Sequence, residues 1–266
     1  MLRYFGANAR AATFSSLKAL FMKDNFSTGS DQYAQFRPDY PQNLAPFLAA
    51  EAPHHNAAWD CGTGNGQLAV KLAAHFETVY ATDLSAAQIS QATPKDNIVY
   101  KVERAEATAF SDRQFDLITV AQAIHWFDFE AFYKEVYRTL KDDGLFAVTG
   151  YALLTISPVI DAVVLHFYKA IVGPYWDQER RYIDELYQTI PFPFKEIKTP
   201  ELVQEYDWTL GQLMGYLGTW SAVQHYKKAM GNDPLLLIAQ DLKQVWGDAH
   251  LQRVKIPILL RAGRKM

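Results

Sequence analysis

From Ala57 onward, short apolar runs rich in β-branched residues alternate with segments whose apolar positions recur at helical spacing. The runs AAWDCG, TVYATDL, NIVYKVERA, FDLITVAQA and GLFAVTGYA read as strands, and their alternation with helices predicts the βαβ units of a parallel sheet. Between the first two, QLAVKLAAHF sets Leu68, Val70, Leu72 and Ala73 where one helical face can pack on the sheet. EAFYKEVYRTLKDDG repeats apolar residues at Phe132, Val136, Tyr137 and Leu140 and predicts a helix that stops at Gly144. After Tyr151 the rhythm changes to aromatic-rich helical sequence punctuated by Pro174, Pro191 and Pro193, which reads as an inserted cap. KTPELVQEYDWTL then reads as a strand, GQLMGYLGTWSAVQHYKKAM and DPLLLIAQDLKQVWG as helices, and RVKIPILLRAG as a closing strand. The expected organisation is a doubly wound α/β core over residues 23–152, a helical cap over 153–195, and closing strands with further cap helices over 196–266.

Composition adds limits. At 266 residues, with 49% hydrophobic and 21% charged residues, the chain has the material for a sizeable packed core. A formal charge of -3 gives no general attraction to phosphate backbones or anionic membranes, so neither nucleic acid nor a membrane surface is expected as a partner. No apolar run approaches the roughly 18 residues that span a bilayer. A single cysteine, Cys61, forbids an intrachain disulfide and fits a reducing, cytoplasmic setting. The first 23 residues carry Arg3, Arg10, Lys18 and Lys23 and no acid, and Met22 precedes a more domain-like sequence. Residues 1–22 are therefore expected to be a leader or a misassigned start, with organelle targeting by 1–21 and a packed helix as the competing readings.

The strongest chemical signal is WDCGTGNGQ at the end of the first strand. Gly62, Gly64 and Gly66 alternate through a turn that runs straight into a helix, clearing side chains so that backbone N–H groups can meet a ligand. In open parallel sheets the ligand crevice lies beyond the carboxyl ends of the strands, where this turn falls. Asp83 ends the second strand and can accept hydrogen bonds from both hydroxyls of a ribose; followed by Leu84 and Ser85, it also fits a helix-capping region. A nicotinamide site would share both features, but its G-x-G-x-x-G pattern needs a glycine at Gln67. A nucleoside-binding turn fits better. Neither a G-x-S-x-G elbow nor a phosphate loop is present, and the scattered histidines offer no zinc-type spacing with Cys61, so no metal is expected.

Taken in order, DCGTGNG, ATDLS, VERAEATAF, FDLITVAQAIHWFD and LKDDGLFAV resemble the class I S-adenosylmethionine-dependent methyltransferases, type 11 branch, and within it trans-aconitate methyltransferase-like proteins. The resemblance covers roughly residues 26–150. It implies a Rossmann-like, seven-stranded, mostly parallel sheet with S-adenosylmethionine as cofactor. It further implies that Asp60, Gly62, Gly64 and Gly66 surround the methionine part, that Asp83 holds the ribose, and that Leu84, Ala105 and Glu106 border adenine. Many relatives carry Asp where this chain has Arg104, which leaves Glu106 as the carboxylate toward the adenine amino group. Gln122 would stand near the methionine end, and His125 and Trp126 near the transferred methyl. DQYAQFRPDYP resembles the segment that lays Tyr33 and Arg37 over cofactor or substrate.

Beside the resemblance, the residues keep their own readings. Gln122 and His125 emerge at the crevice rim after a buried strand, and His125 fits an ordinary rim histidine as well as a substrate-binding group or general base. Trp126 fits the core as well as the crevice wall. Arg37, before Pro38, can grip a carboxylate bidentately or hold a loop to a surface acid. In the cap, Arg180 and Arg181 point about 100° apart on a helix, so at most one faces a pocket. The expected activity is methyl transfer to a small molecule, at an oxygen; the alternative is a catalytically silent binding protein of the same fold. A carboxylate acceptor needs no base, whereas a hydroxyl or amine would use His125 in neutral form.

Overall fold

The computed structural model describes residues 36–265. The reading of residues 1–22 as a leader and the assignment of Tyr33 lie outside them. Among the described residues, one sheet carries eight strands: β1 (Ala57–Cys61), β2 (Thr78–Asp83), β3 (Ile98–Val102), β4 (Phe115–Ala121), β5 (Leu140–Tyr151), β6 (Lys195–Glu196), β7 (Leu202–Trp208) and β8 (Gln252–Arg264). Their order is β3-β2-β1-β4-β5-β8-β6, with β7 also paired to β8. β1 to β5 run parallel, and β8 runs antiparallel to β5, β6 and β7. The chain thus closes with a reversed strand beside a parallel sheet. The eighth strand, beyond the seven expected, is the two-residue β6.

Helices α1 (Leu44–Glu51), α2 (Gln67–Leu72), α3 (Ala86–Ser90) and α4 (Phe129–Thr139) flank the parallel half. β1 is buried along its whole length because both sheet faces are covered. Its Ala58 joins Leu44, Leu48, Leu68, Leu72 and Leu117 on one face. Trp59 joins Phe110, Phe115, Phe132 and Phe146 on the other. Strand residues of opposite parity thus feed two cores.

Helix α4 stops at Thr139, not at Gly144. Leu140 turns extended and pairs with Phe115, so the last apolar residue of the helical pattern belongs to the sheet. An ion pair explains the early exit. Asp116, fully buried, accepts the N–H groups of Asn56 and Ala57, and Lys141 reaches it at 2.5 Å. Continuing the helix would withdraw that cation and leave a buried carboxylate short of its positive partner, a costly arrangement.

The cap is not one body set apart from the later helices. α5 (Pro158–His166) and the turns after it pack with α7 (Leu210–Gly218), α8 (Ser221–Met230) and α9 (Ala239–Trp246) around Trp220. Tyr168, Trp176 and Tyr216 all lie ring to ring with that indole. Past α6 (Arg181–Asp184) the chain crosses to the other sheet face, where Phe192 and Phe194 pack on Phe146. Those two rings belong to the core.

Candidate functional site

β1 and β4 are neighbours whose following connections leave on opposite sides of the sheet, so their carboxyl ends open a crevice. The glycine turn fills its floor. Gly62, Gly64 and Gly66 all take positive φ, at 67°, 57° and 84°, a conformation other residues reach only with strain. Asp60 lies beneath the turn, not in the cleft wall. Its carboxylate accepts the hydroxyls of Thr63 at 2.5 Å and Thr119 at 2.9 Å. Burial, only partly offset by these bonds, pushes its pKa up to about 6.

Asp83 ties the turn to β2. One oxygen accepts the Gly64 N–H and the other the Ser85 N–H, each at 2.8 Å. The helix-capping role falls to Ser85, whose side chain accepts from Gln88 at the start of α3. Asp83 nevertheless lines the cleft with Gly62, Gly64 and Gln88, and across from them stand Gln122 and Arg37.

Gln122 is held at φ 56°, in the left-handed region a non-glycine residue seldom occupies. Its N–H donates to Thr149 at 2.9 Å and its side-chain amide to the Tyr151 carbonyl at 3.4 Å. Such strain persists only where surrounding bonds fix it, and it clusters at ligand sites. Arg37 Nη1 donates to the Tyr151 hydroxyl at 2.5 Å.

Two cavities share this wall. The first lies over the glycine turn, and the second under the cap. Arg37, Gln122, Trp126 and Tyr151 line both. The second adds His125, Trp176, Asp177, Arg180, Tyr216 and Trp220. Arg180 lies with its guanidinium 4.5 Å over the Trp176 ring, and its Nε donates to the Tyr168 hydroxyl at 2.7 Å. Among the described residues its terminal nitrogens take no hydrogen-bond acceptor. Arg181 points elsewhere, toward Tyr182.

His125 is 6% exposed. Burial first, then the nearby cations of Arg180 and Arg37, lower its pKa from the usual 6.5 to about 3. The ring is neutral throughout the physiological range. A shift in this direction makes the ring a weaker base than a free imidazole.

Of the residues expected around cofactor and acceptor, Gly62, Gly64, Asp83, Gln122, Arg37 and Trp126 come together at the first cavity. Gly66 sits behind the turn, where an added Cβ would lie 2.5 Å from the Tyr100 hydroxyl. Leu84 is 44% exposed, and Ala105 is buried in the Trp59 core. Glu106 accepts from the Asp128 N–H at 3.4 Å and faces Arg104 at 3.5 Å. None of these three lines either cavity. Tyr151, Asp177, Tyr216 and Trp220 were not singled out for the site from sequence. Tyr151 alone had a usable signal, since it ends the strand beside β4.

The chain matches the methyltransferase-domain family over residues 59–148. A Dictyostelium discoideum protein named only as a methyltransferase is 32% identical over 250 residues, covering 91% of this chain and 95% of its own. A solved structure from Anaeromyxobacter dehalogenans, described as a type II methyltransferase, is 41% identical with a TM-score of 0.80, over 86% of this chain and 98% of that one. A malonyl-[acyl-carrier protein] O-methyltransferase of Geobacter sulfurreducens is 29% identical over 124 residues, 44% of this chain and 46% of that protein. The glycine turn, the strand order and these matches agree: the chain belongs to the class I S-adenosylmethionine-dependent methyltransferases, type 11 branch.

Proposed function

We propose that this methyltransferase esterifies a carboxylate on a small molecule held in the second cavity. The observation that carries the reading is the shared wall. Arg37, Gln122, Trp126 and Tyr151 border both cavities, so a donor in the first and an acceptor in the second would meet there. The glycine turn fits S-adenosylmethionine: a Cβ at Gly64 would enter open cleft, and Asp83 offers acceptor lone pairs beside it. Gly62, Gly64, Asp83 and Gln122 would hold it. When bound, it supplies a methyl group on a positively charged sulfur.

The protein's own residues select the acceptor. Aromatic walls broken by a few polar groups suit the second cavity to a small molecule. Trp126, Trp176, Tyr216 and Trp220 give it apolar walls that exclude water. Arg180, anchored through Nε and stacked on Trp176, presents its terminal N–H groups for an anion. A carboxylate arrives ionised and needs no base, which suits a pocket whose histidine is a poor one. The partial match to a named O-methyltransferase points the same way.

Acidic metabolites incubated with enzyme and S-adenosylmethionine should yield a product heavier by one methyl, released as methanol by mild alkali, as a methyl ester is. An alkali-stable product would overturn the carboxylate reading. Arg180→Met should raise the acceptor KM by roughly tenfold or more, the worth of a hydrogen bond to a charged group, and leave cofactor affinity alone.

Asp83→Ala should weaken binding of S-adenosylhomocysteine by about ten- to a hundredfold, or ~1.5 to 3 kcal/mol. It should also lower folding stability modestly, because the Gly64 and Ser85 N–H groups lose their acceptor. Calorimetric titration and urea unfolding read the two effects separately. Normal affinity would remove Asp83 from the cofactor site.

A further inference from the structure

We infer that Tyr187 locks His125 in the tautomer that carries its proton on Nε2, so that this histidine offers the acceptor cavity a hydrogen-bond donor and not a base. The inference deepens the proposed acceptor site and rests on that reading for its functional sense. It starts from a pair of buried rings. The Tyr187 hydroxyl and His125 Nδ1 are 3.3 Å apart, and Tyr187 is fully buried. No other hydrogen bond involves that hydroxyl among the described residues. A buried O–H must donate somewhere, and Nδ1 is the acceptor within reach. If Nδ1 carried the proton instead, the hydroxyl hydrogen would be stranded. With Nδ1 accepting, a neutral imidazole holds its hydrogen on Nε2. Nε2 has no protein partner among the described residues, and His125 lines the second cavity.

The backbone around Tyr187 is built to hold it there. Leu186 and Tyr187 are consecutive non-glycine residues in the left-handed region, at φ 55° and 60°. Each is strained, and neighbouring contacts must fix both. Arg261 of β8 supplies them, donating from Nη1 to the carbonyls of Tyr187 at 2.8 Å and Ile190 at 3.0 Å. The ring lies against Gly150 of β5, where a Cβ would come within 2.8 Å of it. Tyr187 is thus a positioning residue acting through His125. The charged groups that share the cavity with His125 are Arg37, Arg180 and Asp177. The two arginines oppose a third positive charge there.

Nitrogen-15 shifts of labelled histidine, measured on the whole protein with S-adenosylhomocysteine, test this without any acceptor. The His125 signal should show a protonated Nε2 and a bare Nδ1 at every pH from 5 to 9. A protonated Nδ1, or titration inside that range, would overturn the inference. Tyr187→Phe, which removes one oxygen from a buried ring, should mix the two tautomers; an unchanged pattern would remove Tyr187 from the role. Benzoate serves as a probe of the cavity itself. Its addition should move the wild-type Nε2 signal, and its apparent Kd should rise roughly two- to tenfold in Tyr187→Phe, the worth of one hydrogen bond. A correct tautomer with no response to benzoate would retire the carboxylate reading while upholding the Tyr187–His125 lock.

Discussion

Gly64→Val should bind S-adenosylhomocysteine at least about a hundredfold more weakly than the wild type, or ~2.7 kcal/mol, and still fold. Gly64 sits at φ 57°, and the nearest atom to an added Cβ is Gln88 Oε1 at 3.9 Å, so no neighbouring atom crowds that Cβ. The valine would stand in the space the cofactor needs. The left-handed backbone adds roughly 1 to 2 kcal/mol of strain, more for a β-branched residue, and that cost falls on stability. Gly62→Ala is the instructive contrast. Its Cβ would meet the Ala123 Cβ at 2.6 Å and the Phe127 ring at 3.2 Å, so the change breaks packing before it touches the ligand. Titration calorimetry beside thermal unfolding should therefore show lost affinity for Gly64→Val and lost stability for Gly62→Ala. Wild-type affinity in a folded Gly64→Val protein would mean that the turn does not face the cofactor.

The parallel half of the fold was legible because local pattern and tertiary role coincide there. Strands buried on both faces leave unbroken apolar runs, and the glycine turn needs a backbone that only glycine reaches without strain. Where a long-range partner decides, the pattern misleads. Leu140 continues the helical spacing of Phe132 and Val136, yet the Lys141–Asp116 pair pulls it into the sheet, and Asp116 lies 25 positions away. The second cavity was hidden for the same reason. Trp176 and Trp220 come from segments 44 positions apart and meet ring to ring only after the cap folds. Asp60 has a structural tie that the motif alone does not show. Its place in the motif suggested contact with ligand, whereas Thr63 and Thr119 take its carboxylate to hold the turn. His125 was found, but its basicity was not readable: one-dimensional sequence carries no record of burial or of two arginines converging from residues 37 and 180.

His125→Gln should gain about 3 kcal/mol on the wild type as pH falls from 7 to 4, whatever the variant costs at neutrality. In the folded protein His125 ionises only near pH 3, whereas in the unfolded chain it does so near 6.5. Its depressed value means that stability is present above pH 6.5 and drains away on acidification, as the unfolded chain takes up a proton the native state refuses. Each pH unit is worth about 1.36 kcal/mol. Asp60 works in the other direction. Raised from 3.8 to about 6, it makes a stability contribution that is complete below pH 3.8 and lost as pH rises through 6, because its buried carboxyl prefers to stay neutral. Between pH 6 and 4 the two nearly cancel, so neither shows in the wild type alone. Glutamine at 125 removes the acid-driven loss and leaves the Asp60 gain, and Asp60→Asn does the reverse, falling behind the wild type by a similar amount. The exposed carboxylates are common to all three proteins and drop out of the differences. Urea unfolding at half-unit steps from pH 7 to 4 measures both curves, and variant curves parallel to that of the wild type would show that neither side chain is as deeply desolvated as its surroundings require.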